Sequence, residues 1–275
     1  FSALKATMEV AVSAHVQKKD FIQKLLSYGD EGPLAMLAMN RDGYPYLRMD
    51  HACFLIGIVG LNELVQIHTG SQLHESEEAL TFGLKVIGHM KDKAETLSRK
   101  YGLNFILEQT PAETTAYRFA RLDLRYYSPK AGHFVRGDIS KGEVYYTNST
   151  HLSASAPVDP AERVRQEARF HPFIRGGGVT QVWLGDMRPS GEELAGFVAE
   201  AFRDTKNDQI LFCPEFTTCR ECSRTFRGLK DECQFCGSKA VERIARITQY
   251  FSRISGWNRG KLAELRDRLR YEGAI

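Results

Sequence analysis

The chain has 275 residues, of which 43% are apolar and 26% charged, which accommodates one large domain, or a main domain with a small appendage, around a sizeable core. The net charge of +3 arises from 37 basic and 34 acidic residues, and this near balance gives no support to nucleic-acid binding. Glycines and polar residues interrupt the longest apolar run, residues 53–65, which is shorter than the roughly 20 residues of a membrane helix, so no membrane span is predicted.

The start of the chain and its cysteines bear on the cellular compartment. The first residues, from Phe1 onwards, lack a basic region, a long apolar region and a cleavage site, so no secretion signal is predicted. The absence of an initiator methionine suggests a fragment. Five of the six cysteines lie between Cys213 and Cys236, which favours a metal site over the disulfides of a secreted domain. We therefore expect a reducing, cytoplasmic environment.

Three segments at the beginning of the chain have clear periodicity. In the first 30 residues, apolar side chains recur at helical spacing on either side of a polar stretch, which predicts two helices ending at Gly29. Residues 32–49 contain two apolar runs flanking the turn sequence of residues 40–43, which predicts a β-hairpin. Residues 79–101 have the spacing of a long amphipathic helix.

The middle of the chain alternates between strand-like and helix-like segments. A short strand at residues 105–108 leads to Thr110-Pro-Ala-Glu113, in which Thr110 suits the N-cap of a helix and Glu113 the reciprocal capping position. The same pattern recurs at residues 159–162 and 190–193. Three further apolar stretches suit strands: residues 144–147, 179–184 and 209–212. This alternation predicts an α/β fold.

Four cysteines have the spacing of a zinc ribbon. Cys219 and Cys222 form one Cys-x-x-Cys pair, and Cys233 and Cys236 form a second pair ten residues later. Two intervening residues let both thiolates of a pair bind one tetrahedral ion, and four thiolates complete the coordination of Zn²⁺. The pattern therefore predicts a structural zinc site rather than a redox or catalytic one. Cys213 is predicted to be a buried strand cysteine.

The segments 216–238 and 241–268 resemble the C-terminus of the anaerobic (class III) ribonucleoside-triphosphate reductases, which are glycyl-radical enzymes. In that family a zinc ribbon precedes a loop of the form Arg-x-x-Gly-Tyr. Four upstream segments also resemble the family: residues 56–65, 107–114, 145–152 and 170–185. The resemblance covers essentially the whole chain but only the C-terminal half or so of such an enzyme. It implies part of a ten-stranded α/β barrel with a C-terminal zinc ribbon.

The resemblance also implies a domain organisation and a function. Residues 1–212 would form the C-terminal half of the reductase barrel, residues 213–240 the zinc ribbon, and residues 241–275 the glycyl-radical-type loop and a C-terminal helix. The implied reaction is radical reduction of ribonucleoside triphosphates to deoxyribonucleotides. The implied cofactors are structural zinc and nucleoside triphosphates as substrate or effector. The implied partners are a radical-SAM activase, a second copy in a homodimer and a possible second chain supplying the N-terminal half.

Gln249 occupies the position that matches the radical glycine of the family. An α-carbon radical is stabilised when it is planar and overlaps both the amide nitrogen and the carbonyl, and glycine reaches this geometry because it has no Cβ. A glutamine is therefore expected to prevent storage of the radical. Gly256 is the nearest alternative glycine, although a turn is the simpler interpretation of it.

The thiyl cysteine of the family has no direct counterpart. It is expected around Gly32-Pro33, where no cysteine occurs. Cys53 is the only cysteine outside the C-terminal region and is the candidate for this role. A small core residue in an apolar strand is the alternative interpretation.

The helix predicted to begin after Thr110 suggests a substrate site. Its free amides and the positive end of its dipole suit an anion such as a triphosphate tail, and the resemblance places a loop of this type near the substrate phosphates. Thr110, Ala112 and Glu113 are therefore candidate substrate-binding residues, with a plain helix start as the alternative. In the C-terminal segment 259–270, acids and bases alternate at helical spacing, which predicts a solvated helix face.

Two other functions compete with that of a reductase. Gln249 is compatible with a radical-incompetent homologue that binds nucleotides or acts as a regulatory or structural subunit. A zinc-ribbon protein that binds nucleic acid is disfavoured because the charge balance offers no basic surface.

Overall fold

The computed structural model describes residues 1–40 and 42–271. Within these residues the helices are α1 (Ser2–Leu26), α2 (Ala35–Ala38), α3 (Leu61–Thr69), α4 (Glu77–Tyr101), α5 (Glu113–Tyr127), α6 (Pro160–Glu167), α7 (Gly191–Asp204) and α8 (Arg259–Asp267). The strands are β1 (Cys53–Gly57), β2 (Asn104–Glu108), β3 (Arg136–Asp138), β4 (Glu143–Tyr145), β5 (Thr180–Gly185), β6 (Ile210–Pro214), β7 (Phe216–Cys219), β8 (Thr225–Arg227), β9 (Val241–Arg246) and β10 (Phe251–Arg253). The predicted alternation of strands and helices is confirmed.

The described strands form four sheets. Strands β1 and β2 are parallel, as are β5 and β6, while β3 and β4 form an antiparallel pair. The remaining strands form an antiparallel sheet in the order β10-β9-β7-β8. Parallel pairs joined through helices are the units of α/β proteins. The mixed α/β class is therefore confirmed, whereas the ten-stranded barrel stays a prediction.

The helices at the beginning of the chain differ in part from the prediction. Helix α1 is continuous over 25 residues, so the prediction of two helices is wrong. The polar stretch consists of Gln, Lys and Asp, of which Gln and Lys are good helix formers, and it interrupts only the apolar pattern. Helix α4 is confirmed, and it begins with Glu77 and Glu78 in its first turn, where carboxylates suit the helix dipole.

The β-hairpin predicted over residues 32–49 is wrong. Its first half contains the short helix α2, and a single isolated bridge between Asn40 and Pro45 is the pairing found there among the described residues. Ala, Met and Leu favour helix, and Pro45 has no N–H for a strand ladder. Arg41, in the predicted turn, lies outside the described residues.

Two of the three predicted helix caps are confirmed. The Asp159 side chain accepts a hydrogen bond from the Glu162 N–H at 2.7 Å, and Ser190 forms a complete capping box with Glu193. The predicted Thr110 cap is wrong, because α5 begins at Glu113 and has Ala112 at its N-cap without a side-chain cap. The Glu113 carboxylate instead binds a side chain distant in sequence, so a tertiary contact replaces the local one.

The structure divides into two compact units. The first comprises Phe1–Gly57, Lys85–Glu108 and Phe173–Gly176, and the second comprises Ile58–Leu84, Gln109–Pro172 and Gly177–Ile275, with residues 272–275 outside the described chain. In the first unit, Phe54 of β1 packs on Phe105 of β2 with ring centroids 5.6 Å apart. No helix in the described chain is long and apolar enough to cross a membrane.

One core cluster of the second unit positions the segment that contains Gln249. Ala245, Ile254, Trp257 and Leu265 are buried together. These residues come from β9, from the turn after β10 and from α8, so burial of their apolar surface holds the three elements together. The segment between β9 and β10 is thereby fixed at both ends.

Candidate functional site

The four ribbon cysteines converge on one point. Their sulfur atoms all lie within 4.8 Å of one another, with 3.7 Å between Cys219 Sγ and Cys236 Sγ and 3.6 Å between Cys222 Sγ and Cys233 Sγ. A tetrahedral zinc with Zn–S bonds of about 2.3 Å requires sulfur–sulfur distances of about 3.8 Å. The cysteines that the sequence predicted as ligands therefore fit a single tetrahedral ion.

Backbone amides support the same interpretation of the cysteine cluster. The N–H of Cys222 points at Cys219 Sγ at 3.5 Å, and that of Phe235 points at Cys233 Sγ at 3.4 Å. Such contacts stabilise thiolates and orient them as ligands. Four cysteines leave no position for water on a tetrahedral ion, so the arrangement suits a structural metal and not a catalytic one.

Gln249 lies in a turn that connects β9 to β10. We call residues 246–250 the 249 loop. The N–H of Ile247 donates to the Tyr250 carbonyl at 3.0 Å and closes the turn. Thr248 is buried, whereas Gln249 and Tyr250 are exposed. The Gln249 side chain therefore points away from the core of its unit.

The structure brings Glu113 to the 249 loop. The Thr248 hydroxyl donates to the Glu113 carboxylate, and the Asn258 side chain donates to the Glu113 carbonyl at 3.1 Å. Ala112 is buried at the N-cap of the same helix, and Thr110 precedes it. The segment predicted to bind substrate is thus adjacent to the segment predicted to carry the radical position.

Two cysteines are not part of the four-sulfur cluster. Cys53 begins β1 in the first unit, and its sulfur accepts a hydrogen bond from the Asn104 side chain at 3.1 Å. Since Cys53 is exposed, its interpretation as a core residue is wrong. Cys213 is buried in β6 as predicted, and burial raises the pKa of its thiol to about 11. Gly256 ends a short 3-10 turn, in line with the turn interpretation.

Three charged residues of the C-terminal segment 259–270, which was predicted to form a solvated helix face, are buried. Lys261, Glu264 and Arg268 of the C-terminal segment are 4%, 9% and 4% exposed, so that prediction is wrong. Lys261 Nζ donates to Glu264 at 2.6 Å, and Arg268 donates to the same carboxylate at 2.9 Å. Helical spacing of opposite charges is the same for buried and exposed pairs, so the pattern alone does not distinguish them.

A small polar cavity of about 30 Å³ lies next to these residues, with room for about two water molecules. Its lining includes Lys261 and Glu264 together with Thr248 of the loop. The polar residues that line it are Tyr145, Thr147, Asn148, His151, Arg163, Glu167, Gln181, Thr248, Lys261 and Glu264. Asn148 and His151 belong to the segment that resembles the reductase family. The cavity therefore places part of that segment beside the 249 loop.

Glu167 is the centre of an ion cluster on this cavity. Its carboxylate accepts hydrogen bonds from Arg163 at 3.0 Å, from the Leu152 N–H at 3.1 Å, and lies 3.1 Å from His151 Nδ1. Burial favours the neutral acid, but His151 and Arg163 outweigh it and hold the pKa of Glu167 below its ordinary value of 4.5. The buried carboxylate is therefore ionised at neutral pH.

We expect this cluster to make the protein sensitive to acid. Because the folded-state pKa of Glu167 is lowered, its stabilising contribution is present above about pH 4.5 and is lost as the pH falls through the folded value. Glu167→Gln should lower the free energy of unfolding at pH 7 by about 3–5 kcal/mol, since it leaves Arg163 buried without its charge partner. It should also reduce the loss of stability on acidification. Urea unfolding at pH 7 and in acid measures both effects, with Glu192→Gln at an exposed position as the control. An unchanged free energy of unfolding of Glu167→Gln at pH 7 would contradict the first effect. Equal acid sensitivity of the native protein and both variants would contradict the second.

Four cysteines that could hold one metal ion, in an α/β fold, define the class as an α/β protein with a candidate metal site, and comparisons with known proteins are more specific. The family model of anaerobic ribonucleoside-triphosphate reductase matches residues 1–271. The anaerobic ribonucleoside-triphosphate reductase of Enterobacteria phage T4 is 30% identical over 226 residues, which cover 79% of this chain and 34% of that protein. The anaerobic ribonucleoside-triphosphate reductase of Salmonella typhimurium is 25% identical over 232 residues, which cover 81% of this chain and 31% of that protein.

Solved structures show the same fold. A structure of an anaerobic ribonucleotide reductase superposes with a TM-score of 0.80 at 22% identity, covering 99% of this chain and 41% of that one. The enzyme of Thermotoga maritima, with dATP bound in its specificity site, has a TM-score of 0.73 at 21% identity, covering 94% of this chain and 40% of that one. The chain belongs to the anaerobic ribonucleoside-triphosphate reductase family, and it spans about a third of the length of the curated relatives it matches.

Proposed function

We propose that this chain serves in the reduction of ribonucleoside triphosphates to deoxyribonucleotides, as the C-terminal part of a ten-stranded α/β barrel with a zinc ribbon and a radical-site loop. Family membership over residues 1–271 is the observation that carries the proposal. The contact between Thr248 and Glu113 supports it, because it joins the loop to the helix start where the substrate would bind. The domain division at residues 212 and 240 belongs to the same proposal.

Gln249 limits what this chain does in that reaction. A Cβ at residue 249 crowds a planar α-carbon radical, and the side chain, which is exposed, blocks the approach of an activating enzyme. We therefore propose that the chain as it stands does not store a glycyl radical. The same substitution is the basis for the alternative function, a nucleotide-binding, regulatory or structural subunit. Cys53 is the proposed thiyl cysteine, and its exposure leaves the sulfur accessible.

The proposed partners and location follow from the family. A radical-SAM activase would act on the loop, the protein would form a homodimer, and the N-terminal half of the barrel would come from a further part of the protein or from a second chain. Structural Zn²⁺ would occupy the cysteine cluster, and the protein would be cytoplasmic.

Nucleoside triphosphates are the proposed ligands of the second unit. One structure of the Thermotoga maritima enzyme is described as a complex with dATP and CTP. In this chain, α5 begins without a side-chain cap at Ala112, and the first N–H groups of a helix, which have no partner within it, are the groups that would bind phosphates. Thr110, Ala112 and Glu113 would surround the triphosphate, with the Glu113 carboxylate turned to Thr248 and not to the ligand.

Calorimetry with ribonucleoside triphosphates tests this binding site. We expect measurable heat with the native chain and about tenfold weaker binding, or 1.4 kcal/mol, for Thr110→Asp, because the added charge repels the phosphates. Gly191→Asp places the same charge at the exposed start of α7, where nothing lies within 4 Å of an added Cβ, and should leave the affinity unchanged. The absence of heat with every nucleotide would rule out the binding site.

A further inference from the structure

Four consecutive backbone carbonyls in the 249 loop each accept a hydrogen bond from a side chain. Arg268 donates from Nη1 to the Arg246 carbonyl at 2.9 Å and from Nη2 to the Ile247 carbonyl at 3.0 Å. Gln181 Nε2 donates to the Thr248 carbonyl at 2.5 Å. Arg246 donates to the Gln249 carbonyl. We call Arg268, Gln181 and Arg246 the carbonyl clamp.

The members of the carbonyl clamp are themselves held in place. The Arg268 guanidinium is bound to the Glu264 carboxylate and lies 5.5 Å from the ring centre of Trp257. Gln181 is a buried residue of β5, and the Arg246 guanidinium lies 4.4 Å over the ring of Phe251. Donors fixed by packing and charge pairing lose little freedom when they bind the loop, so they define one backbone conformation.

The Gln249 side chain contributes nothing to this arrangement. It is exposed and forms no side-chain hydrogen bond with the part of the chain that the structure describes. A loop built through its carbonyls does not depend on the side chain at position 249. We propose that Arg268, Gln181 and Arg246 are positioning residues that hold the loop in one backbone shape whichever residue stands at position 249.

The proposal rests on position 249 as the radical site and gives the clamp a chemical consequence. A radical at the α-carbon of residue 249 would spread onto the carbonyls on either side, those of Thr248 and Gln249. These two carbonyls accept hydrogen bonds from Gln181 and from the positively charged Arg246. Donation to them withdraws electron density, so the clamp would also influence how the unpaired spin is distributed.

Hydrogen exchange tests the positioning role without any radical. In mass spectrometry of the peptide that contains residues 246–251, exchange in Arg268→Met and in Gln181→Met should be at least about tenfold faster than in the native chain, which corresponds to 1.4 kcal/mol. Gln249→Gly should change it by less than about fivefold, the effect of backbone freedom alone. Arg266→Met is the matched control, since Arg266 is in the last turn of α8, two residues before Arg268, and pairs with Glu143.

The exchange of the α7 peptide serves as the test of global folding in each variant. Unchanged exchange of the 246–251 peptide in Arg268→Met and Gln181→Met, with a folded α7, would overturn the proposal. So would a Gln249→Gly variant whose loop exchanges tenfold faster. If Arg268→Met does not fold, Gln181→Met decides, because it removes one carbonyl donor and leaves the Arg268–Glu264 pair intact.

Electron paramagnetic resonance separates positioning from a purely structural role. In the Gln249→Gly background, activation should give one resolved doublet, Arg246→Met should alter its splitting or linewidth, and Arg246→Lys should restore it in part because it keeps a cationic donor. An unchanged doublet in Arg246→Met would overturn the influence on spin. If no variant yields a radical, the proposed function fails, whereas the exchange experiment still decides the role of the clamp.

Discussion

Replacing Gln249 with glycine is expected to produce a doublet in the electron paramagnetic resonance spectrum of a chain that is silent as it stands. The native side chain prevents a planar radical centre, and glycine removes the Cβ that causes the crowding. The measurement is anaerobic incubation with a radical-SAM activase, S-adenosylmethionine and a reductant, followed by spectroscopy. The expected effect is large, from no detectable spin to a clear signal.

Alanine at the same position is the matched control for this experiment. Gln249→Ala shortens the side chain but keeps the Cβ, so it should remain silent if planarity is the requirement. A doublet in the native chain would show that position 249 is not the radical site. A radical of equal intensity in the alanine variant, seen as a multiplet because the methyl protons replace the α-hydrogen as the coupled nuclei, would show that side-chain length, and not the Cβ, is the obstacle.

Loss of zinc is expected to disorder the ribbon and the sheet to which it belongs. Protein purified without chelator should contain about one equivalent of zinc, and Cys222→Ser should lose it. Binding of a structural zinc contributes on the order of 10 kcal/mol to the ordering of a small segment. Because β7 pairs with both β8 and β9, the variant should show a lower melting temperature and increased hydrogen exchange in these strands.

The two remaining cysteines provide the controls for the metal site. Cys53→Ser and Cys213→Ser change thiols outside the four-sulfur cluster, so both variants should retain the full zinc content. Less than about half an equivalent of zinc in the native protein would contradict the ribbon assignment. A zinc content unaffected by Cys222→Ser would contradict the ligand set.

The sequence was most informative where function requires a fixed spacing or a local motif. The Cys-x-x-Cys pairs of the ribbon, the caps at Asp159 and Ser190 and the long helix α4 were all predicted from residues close together in the chain. Each depends on short-range geometry, such as two thiolates on one turn or a hydroxyl within reach of an amide three residues later.

The predictions failed where contacts between distant residues decided the structure. Glu113 was expected to cap its own helix, but its carboxylate binds Thr248, which is 135 residues away. Lys261 and Glu264 were expected in solvent because buried and exposed ion pairs share one spacing. The hydrogen bond from Gln181 to the Thr248 carbonyl could not be predicted from neighbouring residues either, because a glutamine in an apolar strand is compatible with many environments.

Strand β9 pairs with β7 of the zinc ribbon on one side and with β10 on the other. It also leads directly into the 249 loop, which connects β9 to β10. A deletion of residues 213–240 would therefore remove β7, the strand that pairs with β9 on the side opposite β10. For protein engineering, this means that the metal-binding module cannot be excised as a cassette or grafted onto another scaffold alone. A transferable unit would have to include β7 through α8 together with the parts of β5 and α5 that contact the loop through Gln181 and Glu113.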